Sequence, residues 1–414
     1  MHLKGRLAAA GATLATVAAA SLGMPAAQAT TGNSTLPVQD LSASQAEFTE
    51  MGGATPLATD RTVQHWHGSF TDPTNGVTYG YNMVGSDPAT NTSTTTPTDI
   101  YPVDVVFSAN DGYALNGTDV ADSTVASPLF QPGDYSTTDH AGVDVNSPGG
   151  ELSAGNTGVQ YEDAVMRSQF DKAGTDGYHV DLGQPAVHAP LTLVVPQGKG
   201  SAYRTRAGVV YGLVDINWFS SRVQQYLGQQ HTDPTHLPIF LTDNVMLSIG
   251  SDCCVIGYHG AAKVTGNGSG STSGNGSQGV QTFAYSAYTT PGTFGATAFI
   301  RDIHALSHEI AEWGDDPFVN NTVDPWLTPT APQYGCTGIL ETGDPVVGIG
   351  FTMPGNSADP DGYYHPEDEV FLPWFAREAP NTTSQPTQSS TDGRYTLLGD
   401  LNPYPGFREP ATGC

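Results

Sequence analysis

The chain has 414 residues, of which 41 are acidic and 14 basic, so its formal net charge is −27. A surface this negative repels phosphate groups, and it therefore argues against binding to nucleic acid or to anionic membranes while favouring cation binding. The length suits one large domain or two modest ones, and the abundance of Gly, Thr, Ser and Pro is typical of a loop-rich extracellular protein.

The N-terminus has the pattern of a secretory signal peptide. Lys4 and Arg6 precede an apolar, Ala-rich run over 7–22, and the sequence AQA at 27–29 offers small residues for cleavage. We therefore predict a signal peptide over 1–29 and a secreted protein. Loss of the two cations would change the formal charge from −27 to −29.

A membrane anchor is the alternative explanation of the apolar run. The run is too short and too rich in Ala to cross a bilayer comfortably, and no later segment is apolar enough, so we predict no membrane span. Residues 30–60 are polar with little periodicity, which indicates a flexible leader or pro-segment.

Most of the predicted elements before residue 300 are strands, because their sequences are rich in β-branched and aromatic residues. The predicted strands are 63–70, 77–84, 100–107, 191–195, 237–241, 254–258 and 281–288. Helices are predicted at 159–170 and in the second half of 208–227, whose first half is a strand.

Two segments before the central helix have distinct patterns. The Gly- and Ser-rich stretch 265–279 is predicted to be a flexible surface loop. The strand at 281–288 alternates apolar and polar residues, so we expect it to be half-exposed. In that position it would suit the binding of an extended peptide by strand pairing.

A strongly amphipathic helix is predicted next. Its apolar stripe has the spacing i, i+3, i+7 and i+10 and consists of Ile303, Leu306, Ile310 and Trp313. Gly314 ends the helix and Pro317 prevents its resumption. We therefore divide the rest of the chain into a sheet-containing lobe over 61–314 and a loop-rich C-terminal lobe over 315–414. A further helix is a candidate at 367–377.

The helix carries a variant of a metalloprotease motif. His304, His308 and Glu312 are each four residues apart and form a polar stripe beside the apolar one. The sequence HEIAE resembles H-E-x-x-H, in which two histidines bind zinc and the Glu is the general base. We therefore predict His308 and Glu312 as metal ligands and Glu309 as the catalytic base.

The carboxylate at the second ligand position changes the expected metal chemistry. A Glu adds negative charge, so a bound water would be less acidic than in a site with two histidines. A carboxylate is also a harder ligand, which makes manganese or calcium more competitive. We expect a divalent metal, with zinc as the first choice and manganese or calcium as alternatives.

A third ligand must come from outside the helix. Glu341 and Asp344 lie downstream in ILETGDPV, and either would complete the site. His365, in GYYHPED, is a candidate ligand or a catalytic residue that stabilises an oxyanion. The alternative for all three is an ordinary residue on an acidic surface, since the chain has 41 acids.

The four cysteines are Cys253, Cys254, Cys336 and Cys414. An even number in an exported chain indicates disulfides, and four cysteines allow three connectivities. We expect the adjacent cysteines each to pair with one of the other two, because a vicinal bridge is strained. A zinc–thiolate site is the alternative, although the sequence has no C-x-x-C pair.

The run SHEIAEWGDDPFVNN, followed by LETGDPV, resembles a family of secreted bacterial proteins with an H-E-x-x-E motif. It is more distantly similar to the phosphate-induced, EXORDIUM-like proteins of plants. The bacterial resemblance extends upstream to LVDINWF and CCVIGYHG. It implies an α+β, zincin-like fold, with a twisted mixed sheet, an active-site helix beneath it and a smaller loop-rich C-terminal part.

The leading functional hypothesis is therefore a secreted metal-dependent hydrolase, and specifically a peptidase acting on a peptide or protein substrate. The alternative is a non-catalytic binding or cell-surface module with a structural metal or none. A third hypothesis is a glycan-acting enzyme, but no carboxylate pair is identifiable by spacing. The oligomeric state is left open.

Overall fold

The computed structural model describes residues 36–48, 51–135, 156–173, 177–230, 232–266, 277–295, 298–327, 336–380, 395–398 and 409–414. The predicted signal peptide and the central part of the predicted Gly/Ser loop lie outside the described residues. All statements below concern the described part of the chain.

The described residues form many short strands. The first ten are β1 (Glu47–Phe48), β2 (His65–Thr71), β3 (Thr78–Val84), β4 (Ser93–Thr96), β5 (Thr98–Phe107), β6 (Tyr113–Asn116), β7 (Gly133–Asp134), β8 (Thr157–Val159), β9 (His179–Leu182) and β10 (Ala186–Val187). The others are β11 (Leu191–Val195), β12 (Gly200–Arg204), β13 (Val210–Asp215), β14 (Leu237–Asp243), β15 (Val245–Ile249), β16 (Asp252–Gly266), β17 (Ser277–Tyr288), β18 (Thr322–Leu327), β19 (Cys336–Ile339), β20 (Met353–Pro354) and β21 (Tyr363–Tyr364).

Helices are fewer and short. They are α1 (Thr118–Val125), α2 (Tyr161–Gln169), α3 (Ile216–Gln230), α4 (His304–Asp315) and α5 (Leu372–Phe375). The predicted helix at 159–170 is confirmed as α2, and the strand followed by a helix over 208–227 is confirmed as β13 and α3. The candidate helix at 367–377 forms only the single turn of α5, which begins one residue before Pro373.

One mixed sheet of eleven strands dominates the fold. Eight of its strands follow the order β10-β5-β14-β17-β16-β15-β13-β12, while β1 joins at β16 and both β6 and β11 join at β5. The strand β14 pairs in parallel with β5 and β17, whereas β16 is antiparallel to β15 and β17 and parallel to the short β1. Smaller two-strand ladders join β2 to β3, β4 to β9, β7 to β8, β18 to β19 and β20 to β21.

Helices α3 and α4 cover opposite faces of this sheet. Ala284 of β17 packs in the same core cluster as Ile310 of α4, whereas its neighbours Phe283 and Tyr285 pack with Phe219 of α3. Because successive side chains of a strand point to opposite faces, the even-numbered residues of β17 face α4. The sheet is therefore buried on both sides at this point.

The zincin-like α+β prediction is wrong. The fold is mostly one large mixed sheet with additional small ladders, and the longest of the five described helices has 15 residues. The resemblance rested on short runs at 213–219, at 253–260 and from α4 onward, and such runs do not determine how distant strands pair. The predicted division at residue 314 is not a packing boundary either, because one core cluster contains Val84, Ile310, Trp326 and Phe375.

The described part of the predicted flexible leader belongs to the folded domain. Leu36, Leu41 and Ala46 are buried, and β1 pairs in parallel with β16 through Phe48 and Gly257. This segment shows little periodicity in the sequence because its contacts with the sheet are short, and a two-residue strand is too short to show alternation.

The expectation of a half-exposed strand at 281–288 is wrong, because β17 lies in the middle of the sheet. Its residues from Val280 to Thr289 are all buried. The polar face of the strand is covered by α4, and the indole Nε1 of Trp313 donates a hydrogen bond of 2.9 Å to Thr282 Oγ1. The strand is thus not an edge that could take up a peptide.

The cysteines form two disulfides, but with a different connectivity from the one expected. Cys253 is bonded to its neighbour Cys254, and Cys336 is bonded to Cys414. The expected pairing between the two sets is wrong, because Cys254 is buried at the start of β16 while Cys336 lies in the ladder of β18 and β19. The C-terminus is nevertheless tied back to the fold, as expected.

None of the described helices is long and apolar enough to cross a membrane, which agrees with the prediction of no membrane span.

Candidate metal centre

Helix α4 is buried along its whole length. It packs against β16 and β17, and its residues from His304 to Asp315 are all buried. The polar stripe of His304, His308 and Glu312 therefore points into the interior. Burying imidazoles and carboxylates is unfavourable unless they are paired or bind a cation, so the stripe needs specific partners.

The first set of converging groups contains two residues of α4 and one from a later loop. His308 Nε2 lies 3.0 Å from Glu312 Oε1 and 4.0 Å from Asp344 Oδ1. One ligand atom of each residue lies within 4.8 Å of the others. We call His308, Glu312 and Asp344 the first group. It contains three of the four metal ligands predicted from the sequence.

The loop that carries Asp344 is fastened to the helix. The backbone N–H groups of Gly343 and Asp344 donate to Glu312 Oε1, at 3.2 and 3.3 Å. A Cβ at position 343 would overlap His308 Nδ1, so only glycine permits this approach of the loop to the imidazole. On another side, Phe48 stacks on the His308 ring, with centroids 3.5 Å apart.

Glu367 lies behind the first group. Its Oε2 is 3.3 Å from His308 Nδ1 and 3.0 Å from His304 Nε2. A carboxylate on Nδ1 orients the ring so that Nε2 faces a metal and makes the imidazole a stronger ligand. Burial raises the pKa of Glu367 to about 7, although the charge of His308 opposes this effect.

A second set of converging groups shares Glu312 with the first. His259 Nδ1 lies 3.3 Å from Glu309 Oε2 and 3.6 Å from Glu312 Oε2. We call His259, Glu309 and Glu312 the second group, and one ligand atom of each lies within 4.8 Å of the others. Burial lowers the pKa of His259 to about 3, with a further contribution from the charge of His308.

The position of His259 follows from strand pairing. His259 lies opposite Ala284 in the antiparallel ladder of β16 and β17, and Gly257 lies opposite Ser286. Residues directly opposite each other share one face of a sheet, so both face α4 with the even-numbered residues of β17. A Cβ at Gly257 would lie 2.6 Å from Glu309 Oε1, so the glycine leaves room for that carboxylate.

The two remaining predicted site residues lie elsewhere. Glu341 is buried just after β19 but belongs to neither group. His365 forms a separate set with Asp302 and Asp359. Its Nδ1 is 2.6 Å from Asp302 Oδ2, and its Nε2 faces the guanidinium of Arg301 at 2.5 Å. The structure thus brings Asp344, and not Glu341 or His365, to His308 and Glu312.

Two residues of this region were not predicted from the sequence. His259 follows the predicted strand 254–258 directly, and Glu367 is two residues from the predicted His365. Strand alternation predicts that His259 shares a face with Gly257, and this was the available signal for His259. Alternation does not show which element that face packs against. Nothing local distinguished Glu367 from the other acids of HPEDE.

Comparison of the chain with protein-family models, with curated proteins and with solved structures found no match.

Proposed function

We propose that the protein is a metal-dependent hydrolase that binds a divalent cation at the first group, His308, Glu312 and Asp344. One observation carries the proposal: an imidazole nitrogen and a carboxylate oxygen of α4 lie within 4.8 Å of each other and of a carboxylate oxygen from a separate loop. Two ligand atoms that bind zinc at about 2.0–2.2 Å in tetrahedral geometry are about 3.3–3.6 Å apart, and the observed separations of 3.0 and 4.0 Å bracket this range.

The donor set also suits a divalent cation by charge. Two carboxylates and a neutral imidazole balance two positive charges, and they leave a tetrahedral ion one position for water. Zinc remains the first choice, and manganese or calcium remain alternatives because two of the three donors are oxygen. A bound ion of this kind would act as a Lewis acid toward water and toward a substrate carbonyl.

The chain's own residues supply the remaining chemistry. The side chain of Asp344 is 30% exposed, whereas those of His308 and Glu312 are buried, so solvent and substrate would reach the site from the Asp344 side. Glu309 is the buried carboxylate beside Glu312, and in this proposal it takes a proton from the attacking water. The peptide bond is the proposed substrate, by analogy with the H-E-x-x-H motif alone.

The test measures the rate at which the purified chain hydrolyses a protein substrate and a mixed set of fluorogenic peptides, with and without added zinc. Glu309→Gln should retain the metal and lose at least about a hundredfold in rate, which is the usual contribution of a general base. The matched control is Glu409→Gln, since Glu409 is exposed. Absence of hydrolysis in the zinc-loaded wild type, or full activity of Glu309→Gln, would contradict the proposal.

A structural metal in a non-catalytic module is the second candidate, and the burial of the site favours it. His308 and Glu309 are 0% exposed and Glu312 is 3% exposed. For a structural metal, we expect the purified chain to contain bound metal and to lose much of its thermal stability on chelation. We also expect no hydrolysis in any of the assays above.

A further inference from the structure

We propose that the second group, His259, Glu309 and Glu312, is a distinct cation site whose occupation inhibits the enzyme. The regulatory part of this inference rests on the proposed function, whereas the binding part does not. A second ion would be held by His259 Nδ1, Glu309 Oε2 and Glu312 Oε2, and Glu312 would bridge it to the ion in the first group.

The bridging role follows from which oxygen of Glu312 faces which histidine. Oε1 lies 3.0 Å from His308 Nε2 in the first group, and Oε2 lies 3.6 Å from His259 Nδ1 in the second. The two oxygens of one carboxylate thus serve two separate sets of donors. Paired metal ions about 3.5–4 Å apart are commonly held in this way.

The second group is also built from elements that are distant in the chain. His259 comes from β16, and both glutamates come from α4. His259 is fully buried, and its Nδ1 faces a carboxylate oxygen of each glutamate, at 3.3 Å from Glu309 Oε2 and 3.6 Å from Glu312 Oε2. A neutral imidazole nitrogen carries at most one hydrogen, so Nδ1 cannot donate to both Glu309 and Glu312 at once, whereas a cation would contact all three atoms.

The second ion should bind more weakly than the first. Glu312 would already share its charge with the first ion, and two divalent ions a few ångströms apart repel each other strongly in a buried site. We therefore expect the first group to fill at low metal concentration and the second to fill only at higher concentration.

Occupation of the second group has a chemical consequence because it uses Glu309. A carboxylate bound to a cation is a poor proton acceptor, so the second ion would remove the general base from the reaction. Activity should then rise with metal concentration while the first group fills and fall while the second group fills.

The experiment measures zinc binding to the metal-free full chain by equilibrium dialysis against buffered zinc. We expect the wild type to bind one more zinc ion than His259→Gln, with an affinity at least about tenfold weaker than that of the first ion. The control His67→Gln changes an exposed histidine and should bind as much zinc as the wild type. Equal zinc binding by wild type and His259→Gln would overturn the site.

A second variant guards against misfolding of the buried histidine mutant. Gly257→Ala leaves His259 intact but directs a Cβ at Glu309 Oε1, and it should also remove the weaker ion. If Gly257→Ala retains the weaker ion, the inference fails even where His259→Gln has lost it.

Hydrolysis measured over the same zinc range tests inhibition separately. The wild type should lose most of its activity at high zinc, and His259→Gln should lack this decline. A wild type that remains fully active with both ions bound would overturn the inhibitory role. Absence of hydrolysis at every zinc concentration would contradict both the proposed function and its regulation. The dialysis result would still show whether the second group binds a cation.

Discussion

Nε2 of His308 lies 3.0 Å from Oε1 of Glu312, one helical turn further along α4. The spacing of four residues brings the two side chains together on one face, as it does for the two histidines of H-E-x-x-H. Glu312 therefore occupies the position at which that motif has its second metal-binding histidine. Asp344 approaches the same point from a separate loop.

Glu367→Gln should weaken metal binding by about 10–100-fold while leaving the fold intact. The amide has nearly the same shape, but it lacks the charge that orients His308 through Nδ1 and strengthens Nε2 as a ligand. Competition with a zinc chelator measures the change. Unchanged zinc affinity would show that Glu367 does not support His308.

Gly343→Ala should reduce both metal affinity and stability, because the new Cβ would overlap the His308 ring. The backbone at Gly343, with φ −83° and ψ −35°, is accessible to alanine, so the effect would be steric and not conformational. The matched control is Gly228→Ala in α3, where the new methyl meets no atom within 4 Å.

The control should be neutral or more stable by about 0.5–1 kcal/mol, since alanine is the better helix former. Thermal unfolding with and without zinc measures both variants. Equal behaviour of Gly343→Ala and Gly228→Ala would contradict the close approach of the loop to His308.

Replacing Cys336 and Cys414 together by alanine should lower the free energy of unfolding by about 2–4 kcal/mol. This disulfide links residues 78 positions apart, so its loss frees a long loop in the unfolded chain. The same replacement of Cys253 and Cys254 should cost less through this effect, because adjacent residues enclose almost no loop. Denaturant titration compares the two variants, and a larger loss in the second would contradict the argument.

Asp243→Asn should change how stability depends on pH. Burial raises the pKa of Asp243 to about 7, and the charge of Asp119 adds to the effect. The folded-state pKa therefore exceeds the unfolded value of about 3.9, so the protonated side chain is tolerated at low pH and stability is lost as pH rises toward 7.

The variant should match the wild type near pH 4 and exceed its free energy of unfolding by about 2–4 kcal/mol at pH 8. Denaturant titrations at several pH values measure the difference. A difference that does not grow with pH would show that Asp243 ionises normally in the folded protein.

The features predictable from sequence were local ones. The helix over 303–313 and the closeness of His308 to Glu312 depend only on helical periodicity, and the structure has both. The predicted end at Gly314 is wrong, because α4 continues through this glycine to Asp315. The sequence offered Glu341 and Asp344 as third ligands in one short segment, and nothing local decided between them. His259 and Glu367 reach the site through long-range contacts, which no local pattern specifies.

The same distinction explains the errors in fold. Alternation in 281–288 correctly indicated a strand with two different faces, but whether its polar face met solvent or α4 depended on tertiary packing. Strand pairing in the eleven-stranded sheet joins residues far apart in sequence, such as Phe48 with Gly257. Disulfide connectivity has the same long-range origin, so it could not be chosen from spacing.

The most direct test of the central claim is the metal content of the purified chain after dialysis against buffered zinc at a concentration that fills only the tighter site. The wild type should retain about one zinc ion per chain, whereas His308→Ala and Glu312→Ala should each retain almost none, and Glu409→Ala should match the wild type. If either ligand variant holds as much zinc as the wild type, Glu312 and His308 do not form the metal site.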